Sequence, residues 1–274
     1  MSNTAPKNIK QRLRQIAFII AASYFILMTS VYIMQERLLF LPTHLEQDYR
    51  FEFNYPFEEL FLKATDGALL NGIHFKVAQP KGVILYFHGN AGDLSRWGKI
   101  AEPFVKKGYD LVMMDYRTYG KSTGTLAHDV FSTDAQLFYA YVRDHYEEHE
   151  ITLYGRSLGT YMATCLASNN KPGQLILETP YYSMVDIAER RFPLFPVKHL
   201  LKYPFPSYNC IAEVTCPITI IHGTDDDIVP IASAKRLNAL APQSLTTFIT
   251  IEDGKHNTLG EDERYWSYMH NILP

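Results

Sequence analysis

The hexapeptide Tyr154-Gly155-Arg156-Ser157-Leu158-Gly159 decides how the rest of the chain is read. Ahead of it, Glu150-Ile151-Thr152-Leu153 has the apolar, β-branched character of a short buried strand. Behind it, Thr160-Tyr161-Met162-Ala163-Thr164-Cys165-Leu166-Ala167 reads as a helix. Strand, Gly-x-Ser-x-Gly, helix is the setting of a nucleophile elbow. A turn that sharp forces the serine into a strained backbone conformation. Cβ atoms two positions before and after would collide with strand or helix, so those positions must be nearly bare. Gly155 and Gly159 meet the demand. Ser157 Oγ is then expected clear of the sheet, with the Leu158 amide at a helix N-terminus, where it can stabilise an oxyanion.

Working outward, the chain alternates strand and helix. Glu58–Lys63 and Leu69–Val77 read as paired strands around the Asp66-Gly67 turn. Val83–Phe87 is a continuous apolar run, as expected of a strand buried on both faces. It ends in His88-Gly89-Asn90-Ala91-Gly92-Asp93, a loop that can bring a second oxyanion donor, the Asn90 amide, toward the serine. A helix is predicted over 95–107, a strand over 111–114, a loop from Asp115 to Ser122, and a long helix over 127–147. Beyond the elbow come strands over 174–178, 218–221 and 246–252 and a helix over 231–241. This rhythm predicts a mostly parallel sheet with helices on both faces and the site at its carboxyl edge.

Two later loops carry candidate partners for Ser157. Strand 218–221 runs into His222-Gly223-Thr224-Asp225-Asp226-Asp227, where a carboxylate just past a strand end can orient an imidazole. The residues alone leave the choice among the three aspartates open. After the last strand, Asp253-Gly254-Lys255-His256-Asn257 supplies His256 as the general base, and none of the other nine histidines has a comparable placement. Residues 179–213 break the rhythm with five prolines and many aromatics, among them Tyr181, Phe192, Phe195 and Phe205. They predict a cap over the serine, its aromatics either lining an apolar acyl pocket or packing the cap onto the core.

The N-terminus is of another kind. Lys7, Lys10, Arg12 and Arg14 precede an uncharged, apolar run from Gln15 to Gln35, about the ~20 residues a helix needs to cross ~30 Å of hydrocarbon. Its end, Val31-Tyr32-Ile33-Met34-Gln35-Glu36, is a poor cleavage site, and no polar face is evident, so an uncleaved signal anchor is expected. The positive-inside rule puts the N-terminus in the cytoplasm and the C-terminal domain across the membrane, in the periplasm or another extracytoplasmic space. The 274 residues, 47% of them hydrophobic, suffice for one sizeable α/β core behind this anchor. The net charge of −3 and the lack of zinc spacing give no reason to expect nucleic acid. Of the three cysteines, Cys165 reads as a small core residue. Cys210 and Cys216 could pair in an oxidising compartment, although free thiols are the expectation.

Serine, aspartate and histidine in that order, each at a strand's C-terminal end, resemble the α/β-hydrolase superfamily over roughly residues 55–273. More narrowly, Phe87-His88-Gly89-Asn90-Ala91-Gly92, Asp115-Tyr116-Arg117 with Tyr119-Gly120-Lys121-Ser122, and Gly155-Arg156-Ser157-Leu158-Gly159 look like membrane-associated serine hydrolases related to eukaryotic protein depalmitoylases. The superfamily pattern His-Gly-x-x-Asp-x-x-Val-Pro falls on His222, Gly223, Asp226, Val229 and Pro230, which selects Asp226. Two departures stand out. Thr118 replaces a usual glycine, and no cysteine precedes Cys165, so the depalmitoylases' lipidated cysteine cluster is missing and their substrate is not carried over.

The resemblance implies an α/β-hydrolase fold: a mostly parallel eight-stranded sheet, helices on both faces and a small cap. The expected organisation is a basic cytoplasmic N-terminus over 1–15, a transmembrane signal anchor over 16–35, a connecting segment over 36–54 and the hydrolase domain over 55–274, with the cap at about 180–213. The expected activity is cleavage of carboxylic esters or thioesters through Ser157, His256 and Asp226, with Leu158 and Asn90 as oxyanion donors. The expected partners are a small-molecule or lipid-like acyl ester and the membrane, with no cofactor and no metal. A peptidase or acyltransferase on the same triad is the alternative. A non-catalytic tethered binding protein would typically have lost a triad member, and none is missing.

Overall fold

A computed structural model describes residues 9–274; residues 1–8, with Lys7, lie outside the described residues. Helix α1 (Ile9–Leu39) is followed by a hairpin of β1 (Phe57–Lys63) and β2 (Leu69–Phe75). Then come β3 (Val83–Phe87), α2 (Leu94–Lys106), β4 (Asp110–Met114), α3 (Val130–Arg143), β5 (Ile151–Arg156), α4 (Gly159–Asn169) and β6 (Gln174–Glu178). The chain ends with α5 (Met184–Arg191), α6 (Val197–Leu200), β7 (Ile218–Gly223), α7 (Ile231–Asn238), β8 (Thr246–Ile251) and α8 (Glu263–Ile272).

The eight strands form one sheet in the order β8-β7-β6-β5-β3-β4-β2-β1. β2 runs antiparallel to both β1 and β4. All other pairs are parallel, with β5 bonded between β3 and β6. The continuous apolar strands are explained by burial on both faces. Leu85 and Phe87 of β3 point into a core shared with α3 and α4, while Ile84 and Tyr86 point into one shared with α2 and α8. The elbow therefore sits at the carboxyl end of a central strand, walled by packed helices.

The structure departs from the sequence reading in four places. The helix predicted over 127–147 spans only Val130–Arg143, and a short 3-10 turn at Glu148–Glu150 leads into β5. The connecting segment proves to be packed on the domain: Leu41–Pro42 pairs in parallel with Ala91–Gly92, and Phe40 and Phe51 are buried. Helix α1 extends beyond 16–35 at both ends, carrying Lys10, Arg12 and Arg14 on exposed first turns. It is long and apolar enough to cross a membrane.

The fourth departure corrects the cysteine assignment. Cys165 on α4 and Cys210 are joined in a disulfide, Cα atoms 5.1 Å apart, and Cys216 is the free, buried thiol. The chain returning from the cap passes over α4 through two 3-10 turns, Ser207–Asn209 and Ile211–Glu213, which brings Cys210 onto Cys165. Six residues later the chain has dropped into the core, where burial pushes the Cys216 thiol up to about 11. Thr118, where the resembled subfamily has glycine, takes φ 71°, so the loop keeps the glycine-type conformation and strains the threonine instead.

Candidate active site

The elbow has the geometry its spacing demands. Ser157 adopts φ 50°, a left-handed conformation that non-glycine residues rarely take. A Cβ on Gly155 would lie 2.6 Å from Thr160 Cα, and one on Gly159 would lie 2.0 Å from the Phe87 carbonyl oxygen. Neither position can carry a side chain. The turn is fixed by the Ser157 N–H donating to the Glu178 carbonyl at 2.9 Å, and by Thr160 Oγ1 donating to the Ser157 carbonyl at 2.6 Å. Ser157 itself stays half-buried at the carboxyl edge of the sheet.

The structure brings Ser157, His256 and Asp226 together from three strand ends. His256 Nε2 lies 2.9 Å from Ser157 Oγ, and its Nδ1 lies 2.7 Å from Asp226 Oδ2. An ionised carboxylate can only accept, so Nδ1 carries the proton and Nε2 is left to accept from the serine hydroxyl. Asp226 is buried, whereas Asp225 and Asp227 are exposed. Its Oδ1 accepts from the Ile228 and Val229 N–H groups at 3.0 and 2.7 Å. Burial alone would raise its pKa. Hydrogen bonds from His222 and His256 outweigh that and hold the carboxyl well below its ordinary range.

The His88–Gly92 loop lies beside the serine, since a Cβ on Gly89 would fall 3.7 Å from Ser157 Cβ. His88 and Asp115 are fully buried and 3.3 Å apart, His88 Nδ1 donates to the Gly89 carbonyl, and Tyr116 OH donates to the His88 carbonyl. The Asn90 side chain points away: its Nδ2 donates to the Leu39 carbonyl at 2.6 Å and its Oδ1 accepts from Tyr119 OH. Asn90 thus satisfies one of the carbonyls left over at the end of α1 and ties the loop to that helix. Among the described residues, neither the Asn90 nor the Leu158 N–H has a protein acceptor, so both are free to meet a substrate oxygen.

Three neighbours have roles that the sequence reading did not assign. His222 is the first: its Nε2 donates to the Val229 carbonyl at 2.8 Å and lies 3.3 Å from Asp226 Oδ2, so the imidazole backs the same carboxylate. Arg156 and Glu178 are the others, an ion pair at 3.1 Å with side chains 9% and 2% exposed. Arg156 Nη2 also donates to the main-chain carbonyls of His256 and Asn257, at 3.3 and 3.1 Å, and its guanidinium stacks on Trp97 at 5.3 Å. The variable residue of Gly-x-Ser-x-Gly thereby clamps the histidine loop. Of the cap aromatics, Tyr181, Tyr203 and Phe205 are buried as packing, and Tyr182 stacks on Tyr208. Among the described residues, no three His, Cys, Asp or Glu side chains are grouped to share a metal ion.

Comparison with known proteins bears on the fold. A family model described as the alpha/beta hydrolase fold matches residues 82–177, which carry β3 through the elbow to β6. An uncharacterised protein of Acanthamoeba polyphaga mimivirus is 31% identical over 229 residues, covering 75% of this chain and 77% of that one. The lysophosphatidylserine lipase ABHD12 of Danio rerio is 30% identical over 192 residues, 62% of this chain, and the match spans about half of that relative's length, 49%. Among solved structures, an esterase of Pyrococcus furiosus superposes with TM-score 0.66 at 19% identity, covering 86% of this chain and 96% of that one.

Proposed function

Given that the chain belongs to the α/β-hydrolase superfamily, we propose that it is a membrane-anchored serine hydrolase of carboxylic esters or thioesters. The observation that carries the proposal is the unbroken relay from Asp226 Oδ2 through His256 to Ser157 Oγ, with bonds of 2.7 and 2.9 Å. In this reading Ser157 Oγ attacks the acyl carbon while His256 Nε2 takes its proton. The Leu158 and Asn90 amides bind the oxyanion, and Asp226 stabilises the imidazolium. His256 next protonates the leaving group. Water then attacks the acyl-enzyme, giving its proton to His256 and releasing the acid with Ser157 restored. The lipase among the relatives supports a lipid-like acyl ester as substrate.

Helix α1 serves as the anchor in this reading. The Cys165–Cys210 disulfide supports an oxidising, extracytoplasmic location for the domain, on the side that the N-terminal cations also favour. The test is turnover of p-nitrophenyl esters of graded acyl length by the full chain in detergent micelles. The reading expects hydrolysis with a chain-length optimum. Acyl transfer to an added alcohol without hydrolysis would favour the acyltransferase alternative instead.

A further inference from the structure

The segment between β6 and β7 reaches the anchor helix. Between α5 and α6 the chain turns through Phe192-Pro193-Leu194-Phe195-Pro196, and this tip meets α1, where Tyr24 OH donates to the Leu194 carbonyl. Lower down, Gln35 Nε2 donates to the Leu200 carbonyl at 3.1 Å, Gln35 Oε1 accepts from the Lys202 N–H at 2.7 Å, and Tyr203 OH donates to Glu36. Tyr24 and Gln35 are eleven residues apart, so at 1.5 Å per residue the tip reaches about 16 Å along the helix from Gln35. Gln35 marks the end of the uncharged run. The tip therefore lies beside the middle of the segment that is apolar enough to cross a membrane.

The tip is built for such a setting. Phe192 is 51% exposed and Leu194 84%, and neither faces the core. Backbone polar groups cannot enter hydrocarbon unsatisfied. Here two of the five residues are prolines without an N–H, and Phe192 and Phe195 donate to the carbonyls of Ala188 and Phe192, which leaves the Leu194 N–H as the one donor of the five without a protein acceptor among the described residues. The flanking exposed cations Arg191 and Lys198 have stems long enough to return their charges to the headgroups.

We propose that residues 192–196 form a second membrane element, a finger inserted into the same bilayer that holds α1. It sets the cap against the lipid surface, so that an acyl chain can pass from bilayer to site without crossing bulk water. The proposal rests on the reading of α1 as a membrane span, and the experiment separates the two.

The full chain, with Leu194→Cys, Phe192→Cys, Phe25→Cys or Lys63→Cys, is labelled with an environment-sensitive fluorophore. It is reconstituted in phosphatidylcholine–phosphatidylglycerol vesicles with or without acyl-brominated lipid, with the unsubstituted chain as background for Cys216. The finger predicts that labels at 192 and 194 lose emission to brominated lipid as the α1 label at 25 does, while the label at 63 is quenched only by aqueous iodide. Quenching at 25 with iodide quenching at 192 and 194 would overturn the finger and leave the anchor standing. No lipid quenching at 25 would overturn the anchor and the finger with it. Labels at 192 and 194 shielded from both quenchers would mean that protein, such as a second copy of the chain, covers the tip, and would also overturn the proposal.

Discussion

Replacing Arg156 with methionine isolates the clamp beneath the triad. The substitution keeps an unbranched stem against Trp97 but removes the guanidinium that faces Glu178 and holds the His256 and Asn257 carbonyls. Burial alone lowers the arginine pKa, but Glu178 together with the buried tyrosines Tyr86, Tyr154 and Tyr265 outweighs this and raises it, so a full charge is lost. Glu178, 2% exposed, is then left without its counter-charge. Removing one partner of a buried ion pair costs roughly 3–5 kcal/mol. For a domain of this size, that is a drop in melting temperature of roughly 6–20 °C. Thermal melts of the full chain in detergent, followed by circular dichroism, read it directly. Arg156→Met with Glu178→Gln removes the stranded carboxylate and should recover most of the stability. Ester turnover should stay depressed by roughly 10²-fold in both variants, because the histidine loop is untethered in both. A single variant that melts within about 2 °C of the parent would refute the ion-pair argument. A double variant that regains full turnover would refute the clamp.

Asp226→Asn should leave the fold intact and lower kcat on the order of 10⁴-fold, measured with a soluble ester, because His256 then loses the acceptor that fixes its tautomer. The same variant tests the acid limb of stability. A carboxyl whose folded pKa is held below its ordinary 3.8 contributes its full stabilisation above pH 3.8, and loses it as pH falls further, through the folded-state value. Melts taken across the acid range should therefore decline less steeply for Asp226→Asn than for the parent. Removing the disulfide by Cys165→Ala with Cys210→Ala should cost about 4 kcal/mol, from the 45-residue separation that it closes, read as a fall in melting temperature.

Much of this architecture was legible because the informative signals were local. The apolar run at Val83–Phe87, the glycines about Ser157 and the Asp66-Gly67 turn each reflect constraints that act within a few residues. The site order followed from the same logic, since Ser157, Asp226 and His256 each sit where a strand has just ended. What the sequence did not show depends on how distant segments return. Cys210 meets Cys165 only because the chain leaving the cap crosses α4, and nothing near Cys210 in sequence signals that path. Cys216, nearer in sequence, was the more obvious partner and is buried elsewhere. Arg156 occupies a position that the elbow motif leaves free, and its targets are main-chain carbonyls about a hundred residues away, which no residue pattern encodes. His222 was visible as part of a pattern, but its place behind the Asp226 carboxylate follows from the fold of the loop. The contact between cap and α1 was equally hidden, because an apolar run gives no sign that Tyr24 and Gln35 on it bond to a distant segment.

If Ser157 is a nucleophile activated by His256, a fluorophosphonate probe should label it covalently. The full chain in detergent should form an adduct that peptide mass spectrometry places on Ser157, while Ser157→Ala should form none and His256→Ala should label far more slowly. Equal labelling of the parent and Ser157→Ala, or no labelling of a parent that melts cooperatively, would contradict the account.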